Sequence, residues 1–68
     1  MKMSYEKQIA ERLKRYRKQS GMTQEDIDSA LGMKDGRYGR IERAATEITL
    51  SEAVNIALTL NVPVMALL

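Results

Sequence analysis

Residues 21–43 read GMTQEDIDSALGMKDGRYGRIER, and this stretch decides the fold. Thr23 opens a helix, since its hydroxyl can accept the backbone N–H of Asp26 and Asp26 itself suits the positive helix end. Ile27 and Leu31 stand four apart and share the face that turns inward. Gly32 ends this helix, placed at about 23–31. Only Gly32-Met33-Lys34 separates it from a second helical pattern at about 34–43. A three-residue link containing glycine between two short helices is the sequence form of a helix-turn-helix unit. In the second helix Tyr38 and Ile41 form the buried pair, and Met33 plugs the turn. Arg37, Arg40 and Arg43 recur every three residues on another face, and that row of arginines is expected to point outward.

On either side of this unit the same reading continues. Residues 4–20 carry Ile9, Leu13 and Tyr16 on one helical face, with Lys7, Glu11, Lys14, Arg15 and Lys18 off it. Gly21 stops that helix. Residues 44–48 form a loop. Thr49-Leu50-Ser51-Glu52 then spells a capping box, in which the threonine side chain bonds forward and the glutamate side chain bonds back. Leu50, Ala53, Val54, Ala57 and Leu60 form a wide apolar stripe, and Asn61 suits a left-handed C-cap. Pro63 falls near the first turn of a short fifth helix that runs to Leu68. The pattern predicts an all-α, compact five-helix domain over residues 1–68.

Composition narrows the function. The 68 residues include no cysteine and no histidine. That removes disulfides, Cys/His zinc sites, thiol nucleophiles and histidine acid–base chemistry. A core this small relies on good helix packing or on association. No run reaches the roughly 18 apolar residues of a membrane span, and residues 1–7 lack the apolar core of a signal peptide. The protein is therefore expected to be cytoplasmic. The net charge is +2, but all 11 lysines and arginines lie in residues 1–43, while residues 44–68 hold Glu47, Glu52 and no base. A basic front and an apolar, slightly acidic back suggest a polyanion surface and a separate packing or partner surface. There is no glycine-rich phosphate loop after a strand and no pair of carboxylates set for a cleft. An enzyme is not expected, nor a metal, a cofactor or a small-molecule ligand.

Ile9 to Arg17, Gly21-Met22-Thr23-Gln24-Glu25-Asp26-Ile27, Leu31-Gly32-Met33, Arg40-Ile41-Glu42-Arg43 and Thr49-Leu50 through Leu60-Asn61-Val62 resemble the Cro/repressor-type (XRE-like) helix-turn-helix DNA-binding family. The resemblance runs without a gap from Ile9 to about Leu67. It implies a lambda-repressor-like domain whose third helix lies in the DNA major groove. It implies that Gln24 bonds a DNA phosphate and buttresses that helix. It also implies that Arg17 and Glu42 form a partly buried ion pair tying the first helix to the end of the third.

Exposed positions on the first turns of the recognition helix should meet base edges: Lys34, Asp35, Gly36, Arg37 and Arg40. Arginine suits guanine because its forked donors match O6 and N7. Asp35 could accept from cytosine N4, but an N-cap of the third helix is its better-supported role. Thr23, Gln24 and Arg43 are placed for phosphates. Three departures from the family pattern stand out. Gly36 and Gly39 both lie in the recognition helix, where glycine costs up to about 1 kcal/mol against alanine. Lys34 replaces the usual Ser/Thr cap. Asp28 and Tyr38 replace a small and a branched residue, and are expected to compensate each other through a Tyr38 hydroxyl–Asp28 bond. The apolar tail, with Val64, Met65, Leu67 and Leu68, is expected to pair two copies into a homodimer on an inverted repeat. The expected function is a sequence-specific regulator of double-stranded DNA, a repressor. A second regulatory protein could join it, and the rival reading is an antitoxin-like module that grips another protein.

Overall fold

The computed structural model describes residues 5–34 and 36–68. They form four α-helices and one 3₁₀ turn, with no strand among the described residues: α1 (Tyr5–Ser20), α2 (Gln24–Leu31), α3 (Arg37–Glu42), α4 (Leu50–Leu60) and the turn Val64–Ala66. Both capping boxes form. Thr23 Oγ1 accepts the Asp26 N–H at 3.0 Å while the Asp26 carboxylate accepts the Thr23 N–H at 2.8 Å. Thr49 and Glu52 repeat the exchange at 3.1 and 2.9 Å. Each box satisfies two of the donors that a helix start leaves without partners. Gly32 (φ 63°) and Asn61 (φ 59°) close α2 and α4 in the left-handed conformation. The Met33 N–H returns to the Asp28 carbonyl at 2.9 Å, the bond that seals the end of α2.

One core joins all the helices. Leu13, Ile27, Tyr38 and Ile56 lie at its centre, with Ile9, Ile41 and Leu60 around them. Tyr16, Leu31 and Met33 pack against its edge. Ala53 and Ala57 are also buried, and their small side chains let the α4 backbone come close to its neighbours.

Four expectations are corrected here. The fifth helix is a single 3₁₀ turn: Ala66, Leu67 and Leu68 donate to Pro63, Val64 and Met65, each three residues back. That tight winding turns Leu67 inward, so it is fully buried and belongs to the core, not to a dimer face. The buried stripe of α4 runs through Ala53, Ile56, Ala57 and Leu60, whereas Leu50 and Val54 are exposed with Leu58. Finally, α3 is shorter than expected, because Gly36 sits at φ 75° and the helix starts only at Arg37.

The placement of the tail is testable. Leu67→Ala should cost about 2–5 kcal/mol by leaving a core cavity, whereas Met65→Ala should change stability by no more than about 0.5 kcal/mol. Urea denaturation of the two variants decides it. Equal small losses would mean that Leu67 is not a core residue.

Candidate nucleic-acid interface

The six residues of α3 are too few to be helical alone, so its neighbours must hold it. Tyr38 and Ile41 anchor its inner face in the core. At its start, the Tyr38 backbone N–H donates to Asp28 Oδ1 of α2 at 3.0 Å. This corrects the expected hydroxyl contact: Asp28 serves one of the unpaired donors at the start of α3, and the Tyr38 hydroxyl does not bond to it. The hydroxyl lies instead beside Glu42 and Arg17, buried and without a well-aligned hydrogen bond. Burial first, and then the Glu42 carboxylate, push the phenol well above its usual pKa.

The other end of α3 is held by Glu42. Its carboxylate accepts Arg17 Nε at 2.6 Å, Arg17 Nη2 at 3.0 Å and Gln24 Nε2 at 2.9 Å. Arg17 Nη1 also donates to the Met22 carbonyl at 2.9 Å. One carboxylate thus joins α1, α2 and α3, and its side chain is only 3% exposed. Burial would raise the Glu42 pKa, but the bonds from Arg17 and Gln24, with the Tyr38 hydroxyl close by, outweigh it and hold the group below its ordinary value.

Gly39 belongs to the same arrangement. A Cβ there would stand 3.0 Å from Gln24 Oε1 and 3.3 Å from Arg43 Nη1. The missing side chain lets Gln24 lie across α3, which explains one of the two glycines. The other, Gly36, takes the left-handed N-cap position of α3.

The outer face of this unit carries the basic groups. Lys34, Gly36, Arg40 and Arg43 are exposed, as is Thr23 at the start of α2, and Gln24 is half-buried beside it. Asp35 lies outside the described residues. Arg37 departs from the arginine row. It sits about 60° around the helix from Arg40, turned toward α4, where its fork closes on Glu52: Nε to Oε2 at 2.5 Å and Nη2 to Oε1 at 2.8 Å. Arg37 Nη2 also donates to the Glu47 carbonyl at 3.2 Å. The three-residue spacing could not show this, because Glu52 reads in the sequence only as a cap. A hint was that Glu52 is one of just two acids in the base-free stretch, residues 44–68. On the back, Met65 is 75% exposed, Leu68 is also exposed and Val64 is half-buried. Among the described residues no acid cluster could hold a metal ion, and no helix is long and apolar enough to cross a membrane.

Two short helices joined by a tight turn, the second anchored on its inner face and basic on its outer face, define a helix-turn-helix unit of the kind that enters a DNA groove. A helix-turn-helix family model, HTH_3, matches residues 13–67. The chain belongs to this Cro/C1-type, XRE-like family of DNA-binding transcription regulators. No curated protein and no solved structure matches it.

The ion pairs set an acid limit. Glu42 lies below the ordinary carboxylate value of 4.5, and the bond from Arg37 holds Glu52 down at about 2. A carboxylate depressed by folding stabilises the fold above its unfolded pKa, and that contribution is lost as pH falls toward the folded value. Stability should therefore be level above about pH 5 and decline between about pH 4.5 and 2. Glu42→Gln should be less stable than wild type at pH 7, with the gap narrowing toward pH 2.5 in urea titrations. A gap that stays constant would mean that the charge of Glu42 contributes nothing.

Proposed function

We propose that the chain is a sequence-specific repressor that binds double-stranded DNA as a homodimer on an inverted-repeat operator. The observation that carries this reading is the two-sided build of α3: Tyr38, Ile41 and Glu42 lock its inner face, while Arg40 and Arg43 lie exposed on its outer face. Arg40 takes guanine O6 and N7 with its fork, a contact worth about 1–3 kcal/mol of discrimination. Lys34 enters beside it, and Gly36, lacking a side chain, lets the backbone approach the base edges. Asp35, between them, belongs to the same reading strip. Arg37 reads a base only if its bond to Glu52 opens. Thr23 and Gln24 at the start of α2 and Arg43 at the end of α3 meet phosphates, which fix the register and make affinity salt-dependent.

Selection from a random duplex pool at moderate salt, repeated with Arg40→Ala, tests the reading. A palindromic site should emerge, and the mutant should lose preference at one position of each half-site while keeping its fold. No enrichment by the wild-type chain would sink the proposal.

The homodimer rests on exposed apolar residues. Met65, Leu68 and half-buried Val64 lie outside the core, as do Leu50, Val54 and Leu58, which recur every four residues along one face of α4. Pairing two copies there would set the recognition helices about 34 Å apart, one DNA turn. A repressor of this kind acts by occupying promoter DNA. The same face supports a second reading, an antitoxin-like module that grips another protein. Sedimentation of wild type and Leu58→Glu separates them. A concentration-dependent dimer lost in the variant supports self-pairing, and a monomer at high concentration leaves the face to a different protein.

A further inference from the structure

We infer that Glu52 determines specificity by acting through Arg37, as an internal competitor that withholds the Arg37 fork from DNA. The inference rests on the DNA-binding reading above. Carboxylate, phosphate and the guanine edge all present two acceptors at a spacing that a guanidinium can bridge. In the DNA-free chain Arg37 bridges Glu52, at 2.5 and 2.8 Å. Which partner it holds on DNA depends on which is better organised and better shielded from water.

Glu52 is well organised. It stands in the first turn of α4, its Oε1 also accepts the Thr49 N–H, and its own N–H donates to Thr49 Oγ1. It therefore cannot follow Arg37, and any exchange is a movement of Arg37 alone. The pair is not sealed, because the two side chains remain 27% and 21% exposed. An ion pair open to water and salt holds weakly enough for DNA to contend with it. Position makes the contest relevant: Arg37 is the first residue of α3, next to Gly36 and one turn from Arg40 on the proposed reading face. With Glu52 in place Arg37 is kept out of the strip that Lys34, Gly36 and Arg40 share. Without its charge Arg37 joins them, and binding becomes tighter.

Glu52→Gln isolates the charge, because glutamine also serves at the third position of a capping box. Circular dichroism checks the fold, and affinities are measured over a salt series on the selected site and on an unrelated duplex. Glu52→Gln should tighten binding to the unrelated duplex roughly tenfold at low salt and steepen the slope of log K against log salt by about 0.9. Glu47→Gln, which removes a neighbouring acid whose side chain does not hold Arg37, should do neither. In an Arg37→Ala background, Glu52→Gln should add nothing beyond the Glu47→Gln effect. Arg37→Ala alone should leave affinity within about twofold, and this arm stands even if Glu52→Gln misfolds. Repeating the selection with Glu52→Gln distinguishes the acceptors, since a new guanine preference marks a base edge and an unchanged motif marks a phosphate.

Wild-type binding with unchanged affinity and slope in Glu52→Gln overturns the inference alone. So does a gain that survives Arg37→Ala, which would be bulk charge, or a loss of about tenfold in Arg37→Ala by itself. Failure of the wild-type chain to bind any duplex overturns the DNA-binding reading and this inference with it.

Discussion

The Glu42 carboxylate is the point on which the structure depends. A charge with a side chain only 3% exposed must be met by partners in full, and here three donated bonds from Arg17 and Gln24 meet it. Removing one partner of such a pair typically costs about 3–5 kcal/mol, a large share of the stability of a domain this small. Compared with apolar residues of the same shape the pair is not necessarily stabilising. What it supplies is geometry: it holds the end of α3 against α1 and the start of α2 through bonds that tolerate little displacement. The placement of Gln24 follows from it.

The same dependence explains how so short a recognition helix can exist. Six residues beginning after a left-handed glycine have no intrinsic claim to helicity. The helix is held at three places: Asp28 on the Tyr38 N–H, Tyr38 and Ile41 in the core, and Glu42 at its end. Rigidity is therefore imported from α1 and α2. That suits a reading surface, because side chains presented to a groove need a fixed frame more than a self-sufficient helix.

Glycine and charge are distributed in keeping with this. Gly39 gives up helix propensity and in return admits Gln24 across α3. Arg37 gives up a place on the outer face and closes the α3–α4 connection onto Glu52 and the Glu47 carbonyl. The base-free segment thus contributes one carboxylate and one backbone carbonyl to the flank of the basic one. The apolar residues left outside on α4 and in the tail are those that a core of this size could not enclose.

Much of the fold was legible because its signals are local. Thr23 with Asp26, Thr49 with Glu52, and the C-caps Gly32 and Asn61 each act within a few residues of themselves, and so do Ile27 with Leu31 and Tyr38 with Ile41. The helix-turn-helix reading and its basic face follow from these alone. The tertiary structure decided what local spacing cannot express. Leu67 entered the core because the tail winds as a 3₁₀ turn against α4, while Leu50, Val54 and Leu58 were left outside because Ala53, Ile56 and Ala57 filled the closest approach. Arg37 left its row for a carboxylate 15 residues away, and the Tyr38 hydroxyl turned from Asp28 toward Arg17 and Glu42. For Arg37 and the Tyr38 hydroxyl the deciding partner is distant in the chain. Sequence periodicity states which side of a helix is apolar, and only packing states which of several competing neighbours arrives there first.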